Sequence, residues 1–245
     1  LLQRGAGVPA QFPDDSFKNV DFADSAQSVL SASDILLKVQ PPTLEEVAQM
    51  KSGATLVCFM YGHLRLDVVK ALRDKQITTL ATELVPRISR AQSMDALSSQ
   101  AAAAGYKAVL IAASTMDKFL PMLTTAAGTI APAKALVLGA GVAGLQAIAT
   151  LRRLGAVVAG FDVRPAVKEQ VQSLGAQFLD LGVVGEETEG GYARELTPEE
   201  QAKQQEALNA RIPDFDLVVT TAAIPGRPAP RLIPASAVAD RKSVV

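Results

Sequence analysis

The 245-residue chain balances 24 Lys and Arg against 25 Asp and Glu, a formal net charge of −1, without the basic excess that wholesale nucleic-acid or anionic-membrane binding calls for. Apolar residues make up 49%, charged residues 20% and aromatics 4%, with no Trp; an apolar share drawn mostly from Ala, Val and Leu suits an α/β protein with helix-covered parallel sheets. The single cysteine, Cys58, excludes an intrachain disulfide framework and reads as a buried thiol in a reducing intracellular compartment.

Short β-rich apolar runs alternate with helical patterns along the chain, the mark of parallel sheets. Asp34 to Val39, Thr55 to Tyr61 and Thr78 to Thr82 read as strands, with helices over Thr43 to Met50 and Leu66 to Asp74. Ser93 to Gly105 reads as a helix ended by a glycine, Lys107 to Ala112 as a strand, and Met116 to Ala127 as a helical connector closed by Pro132. From Ala135 the pattern becomes strand (to Leu138), helix (Gly141 to Leu154), strand (Val157 to Asp162), helix (Pro165 to Leu174) and strand (Gln177 to Asp180). That is a βαβαβ mononucleotide-binding half.

Gly182 to Thr197 is polar and glycine-rich and reads as a surface loop with the composition of a lid. Pro198 to Asn209 reads as a polar helix, Phe215 to Thr221 as a strand, and Ile224 to Pro234, with four prolines, as an extended loop. The expected organisation is two Rossmann-like domains with parallel sheets, residues 1–124 and 125–245. The charge-free stretch between Lys134 and Arg152 is shorter than the roughly 20 apolar residues a bilayer span needs. The chain opens without an initiator Met, as if partway through a domain, and reads as a fragment of a longer polypeptide.

The chemistry concentrates at Gly139-Ala-Gly141-Val-Ala-Gly144, a G-x-G-x-x-G pattern between a predicted strand and a predicted helix. Gly139 permits the tight turn, Gly141 removes the Cβ that would block a diphosphate, and Gly144 lets the helix pack against the sheet. Backbone N–H groups at the helix start then face the anion, with Val142 and Ala143 in the first turn. Asp162, 18 residues beyond Gly144 at the end of the next strand, can accept both adenosine ribose hydroxyls and repel a 2′-phosphate, favouring NAD(H) over NADP(H). Val163 and Arg164 complete this cofactor-binding set, Arg164 being the basic residue at which a 2′-phosphate would find a partner. No metal-ligand set is assigned.

Three stretches resemble, in the right order, the NAD(H)-binding domain I of proton-translocating nicotinamide nucleotide transhydrogenase, alpha-subunit type. They are Val85 to Gln100 (VPRISRAQSMDALSSQ), Lys134 to Leu181, and Thr220 to Pro230 (TTAAIPGRPAP); with Leu37 to Pro42 the likeness covers nearly the whole chain. The resemblance implies that Arg87, Gln92, Asp95 and Ser98 surround the dihydronicotinamide and its ribose, and that Tyr192 lies near the tip of a mobile loop closing over the nucleotide. It further implies a homodimer, NADP(H) on a separate partner domain, and a membrane-spanning domain of the same complex that couples hydride transfer to proton movement. The chain is then a soluble domain peripheral to an energy-coupling membrane.

The related alanine dehydrogenases share the motif around Lys38, a substrate lysine there, and place a catalytic histidine near the position of His63 in Phe59-Met-Tyr-Gly-His-Leu64. That leaves a self-sufficient amino-acid dehydrogenase using Lys38 and His63 as the alternative enzyme, and a non-catalytic NAD(H)-sensing module as a third reading. Lys38 also reads as a strand-end lysine reaching solvent, and His63 as a surface or loop-packing histidine.

Overall fold

The computed structural model describes residues 1–182, 197–223 and 229–239. The chain divides into two compact units, Leu1–Leu97 and Ser98–Val245.

The first unit opens with a short parallel pair, β1 (Leu2–Gln3) and β2 (Phe22–Ala23). There follow α1 (Ala26–Ala32), β3 (Ile35–Leu37), α2 (Leu44–Gln49), β4 (Thr55–Cys58), α3 (Leu66–Asp74) and β5 (Thr78–Ala81). Sequence dictates the helix starts. Ser25 accepts the N–H of Ser28 at the head of α1, and Thr43 and Glu46 form a reciprocal capping box at the head of α2. Strands β3, β4 and β5 are parallel in that order. One face of this sheet carries Leu36, Leu56 and Cys58, which pack with Leu30, Val47, Val68 and Leu72 of α1, α2 and α3. The opposite face carries the row Leu37, Val57 and Leu80; Ile35, Leu37 and Leu80 are 68%, 75% and 56% exposed.

The second unit contains most of α4 (Ala96–Thr115), the hairpin strands β6 (Leu123–Thr125) and β7 (Gly128–Ile130), then β8 (Lys134–Leu138), α5 (Val142–Arg153), β9 (Val157–Phe161), α6 (Val167–Ser173), β10 (Gln177–Phe178), α7 (Pro198–Arg211), β11 (Leu217–Thr220) and α8 (Ala235–Ala239). The strand expected at Lys107 to Ala112 is instead the second half of one continuous helix, α4, which runs past Gly105. A short run such as Ala-Val-Leu-Ile-Ala fits a buried strand and a helix equally well by pattern. Gly105 does not end the helix: a Cβ there would overlap the carbonyl of Ala143, so the glycine allows α4 and α5 to approach closely. The helical connector expected at Met116 to Ala127 is also absent. An antiparallel hairpin takes its place, with Gly128 at φ +126° just after its two-residue turn.

The remaining expected elements of this unit are present within one to three residues at each end, apart from those reaching beyond the described residues. All four sheet strands are parallel, in the order β10-β9-β8-β11. Alternation along β8 builds two cores. Ala135 and Val137 face Ala147, Ile148 and Leu151 of α5, and Leu136 and Leu138 face Leu208 of α7 and Ala237 of α8. The sheet is buried on both faces, as an all-parallel sheet requires. Between β8 and β11 the strand order reverses, and ligands of such sheets bind beyond the strand ends at that switch point.

Candidate functional site

The glycine turn occupies this switch point. Gly139 leaves β8 at φ +91°, and a Cβ on it would crowd the backbone N of Ala222, just beyond β11. Its N–H donates to the Phe161 carbonyl of β9 at 2.8 Å, and its carbonyl accepts the Thr221 hydroxyl at 2.7 Å, so the turn is held from both neighbouring strands. At Gly144 a Cβ would overlap the Gly139 carbonyl; helix and turn meet only because Gly144 lacks one. Gly141 differs. Among the described residues, the nearest atom to a Cβ built there is Nη2 of Arg164 at 4.0 Å, so this glycine keeps open a space that no described backbone atom fills. It is also the N-cap of α5, whose first-turn N–H groups, Val142 and Ala143 among them, have no intrahelical acceptor.

Asp162 stands at the end of β9 with its side chain only 7% exposed. Its Oδ2 accepts the Ala140 N–H at 2.8 Å, inside the glycine turn. Its Oδ1 accepts the backbone N–H of Arg164 at 3.0 Å. The Arg164 side chain then adds a fork, Nε to Oδ1 at 2.9 Å and Nη2 to Oδ2 at 2.9 Å. Burial on its own raises the carboxyl pKa; the Arg164 guanidinium and the two backbone donors outweigh it and hold the group below the usual aspartate value. Val163 lies between the two, partly buried against the α7 side of the sheet.

In the first unit, Arg87, Gln92 and Asp95 line one open depression of about 250 Å³ together with Ile88 and Ser89. A 3₁₀ turn over Ser89–Met94 brings them together, with Asp95 as its C-cap. Ser98 is not among the lining residues and sits in the first turn of α4. Tyr192 lies outside the described residues. Among the described residues, no group of three His, Cys, Asp or Glu is placed to hold a metal ion, and no helix is long and apolar enough to cross a membrane.

The two residues of the alternative reading lie beyond the C-terminal ends of β3 and β4. Lys38 Nζ is bound to Glu46 Oε1 at 2.9 Å, which ties it to the capping box of α2. Burial raises the Glu46 carboxyl and its bonds to Lys38 and Thr43 bring it net down. His63 is exposed in the 3₁₀ turn Gly62–Leu64. Glu83, which pattern reading passed over, organises the same region by accepting the N–H groups of Met60 (2.9 Å) and Tyr61 (2.6 Å); Tyr61 is at φ +47°. Cys58 is buried, and burial, reinforced by Glu83, pushes its thiol up to about 11. That is the inert thiol of a core strand.

Two family models match consecutively: alanine dehydrogenase/PNT, N-terminal domain, over residues 1–104, and alanine dehydrogenase/PNT, C-terminal domain, over residues 108–245. The chain belongs to the alanine dehydrogenase/PNT family. Within that family it is 49% identical over 243 residues to an NAD(P) transhydrogenase alpha-subunit polypeptide of Rhodospirillum rubrum, covering 95% of this chain and 63% of that protein. It is 47% identical to the NAD(P) transhydrogenase subunit alpha of Haemophilus influenzae, covering 95% of this chain and 46% of that one. The alanine dehydrogenase of Mycolicibacterium smegmatis is 28% identical, over 99% of this chain and 61% of its own length. A solved transhydrogenase structure from Sinorhizobium meliloti superposes with a TM-score of 0.85 at 43% identity, covering 98% of this chain and 66% of that one. An L-alanine dehydrogenase structure superposes with a TM-score of 0.76 at 21% identity and shares the fold. The chain therefore spans less than two-thirds of these curated transhydrogenase relatives.

Proposed function

We propose that the chain is the NAD(H)-binding component of a proton-translocating transhydrogenase. NADH held here presents its hydride to NADP⁺ on a partner domain, and a membrane-spanning domain of the same complex couples the exchange to proton movement. The observation that carries the NAD(H) assignment is the Gly139–Gly144 turn at the switch point with Asp162 buried beside it and bonded into it. The open space at Gly141 fits a diphosphate, and the carboxylate at the end of β9 fits a ribose diol.

In this reading Gly139, Gly141, Val142, Ala143 and Gly144 bind the diphosphate, Asp162 binds the adenosine ribose, and Val163 and Arg164 belong to the same cofactor-binding set beside it. Arg87, Gln92, Asp95 and Ser98 orient the nicotinamide and its ribose. When bound, the dihydronicotinamide supplies a hydride, and neither ring exchanges a proton at the reacting carbon. The residues of the chain therefore need to align the reacting ring and exclude water, and no acid, base or nucleophile is required. A guanidinium, an amide and a carboxylate around one depression suit that task. Tyr192 is assigned to the closing loop on the family resemblance.

The deciding experiment is binding of NADH and NADPH followed by intrinsic nicotinamide fluorescence. NADH is expected to bind in clear preference, and Asp162→Asn is expected to weaken it by about tenfold; preference for NADPH would refute the role given to Asp162. Mixing with an NADP(H)-binding partner domain and following reduction of an NADP⁺ analogue separates the transhydrogenase reading from a sensing module. Light scattering tests the proposed homodimer. The amino-acid dehydrogenase reading is less supported, since Lys38 is paired with Glu46 and the transhydrogenase relatives are far closer in sequence. Robust NADH oxidation with pyruvate and ammonia by the chain alone would restore it.

A further inference from the structure

Resting on the reading of the crevice as the site of an adenosine nucleotide, we infer that Arg164 is a displaceable stand-in for the ribose, occupying the acceptor positions of Asp162 that a nucleotide's vicinal diol needs. A carboxylate offers about four acceptor positions, two on each oxygen. At Asp162 all four are taken. Two go to backbone donors fixed by the fold, the Ala140 N–H on Oδ2 and the Arg164 N–H on Oδ1. The other two go to the guanidinium, Nε on Oδ1 and Nη2 on Oδ2.

A ribose 2′,3′-diol is also a two-pronged donor, with one O–H for each carboxylate oxygen. Fork and diol therefore compete for the same pair of positions, and binding is an exchange. The backbone bond from Arg164 to Asp162 is separate from the fork, so the guanidinium can leave by side-chain rotation while the turn keeps its shape. A charge-assisted bidentate pair is among the stronger polar contacts, and breaking it discounts what the diol contributes. Arg164 thus keeps a buried carboxylate satisfied before the nucleotide arrives and sets how much of the nucleotide's affinity the ribose supplies.

The test compares ADP with 2′,3′-dideoxy-ADP by calorimetry on the full polypeptide, for the wild type, Arg164→Met, Arg164→Lys and Asp162→Asn. Any contact between Arg164 and the diphosphate cancels in the ratio of the two affinities. Removing the competitor is expected to raise that ratio about fivefold in Arg164→Met. Arg164→Lys, which keeps the charge without the planar fork, is expected to raise it by less, and it serves if the Met variant does not fold. In a crystal structure with ADP, Nε and Nη2 are expected to lie out of hydrogen-bonding reach of Asp162. A ratio that is unchanged or lower in both variants, or a fork still intact beside bound ADP, overturns the inference and leaves the site assignment standing. ADP binding that fails altogether, or is indifferent to Asp162→Asn, overturns both.

Discussion

The three glycines of the turn look alike in sequence and have different physical duties, which makes them separable by substitution. Gly144→Ala places a methyl against the Gly139 carbonyl, and overpacking against backbone should cost on the order of 3 kcal/mol, read as a lower denaturation midpoint. Gly141→Ala meets, among the described residues, only Nη2 of Arg164 at an ordinary contact distance of 4.0 Å and should leave the midpoint nearly unchanged while NADH titration shows weakened binding. Asp162 adds a pH dependence. Its folded pKa is depressed, so its stabilisation is complete above the unfolded aspartate value, about 3.9, and is lost as pH falls from there through the folded value. The stability gap between wild type and Asp162→Asn should accordingly close in acid, as urea midpoints over a pH series will report. At this scale the sequence was legible where backbone geometry restricts the residue type, as at Gly139 with its positive φ. It was not legible at Glu83, whose two backbone acceptor bonds follow from tertiary placement and leave no local pattern.

Helix α4 shows both what element-level pattern reveals and where it stops. Its first half was readable as a helix, and α2, α3 and the βαβαβ run were readable from short apolar runs alternating with helical patterns, with α3 found at the expected bounds. Gly105 misled because a glycine late in a helical pattern commonly marks a C-cap, and only the nearness of Ala143 shows its packing duty. Gly105→Leu should force α4 away from α5 and destabilise the protein by roughly 2–4 kcal/mol, against the helix-propensity gain of about 1 kcal/mol that a solvent-facing glycine would show. The sign of the change in thermal midpoint distinguishes the two duties. At the head of α2, Thr43→Ala removes one half of the capping box and should cost about 1 kcal/mol by the same measurement. The hairpin of β6 and β7 went unread because the Ala126-Ala127 pair at its turn suits a helix equally well, and the reversal depends on backbone sign at Gly128.

For the molecule as a whole, the βαβαβ core and the switch point were legible because buried parallel strands, glycine turn and terminal acid all lie within one continuous stretch. The residues lining the depression around Arg87 needed family likeness, since a short polar helix start is common in proteins without any ligand. One feature of the first unit bears on handling rather than catalysis. Among the described residues, Ile35, Leu37 and Leu80 of its sheet stand exposed on one face, whereas parallel sheets ordinarily hide both sides. A patch of that kind makes a protein colloidally sticky. Purified material should brighten an apolar reporter dye and precipitate as sulfate rises, and Leu37→Thr with Leu80→Thr should blunt both effects while the melting curve stays put.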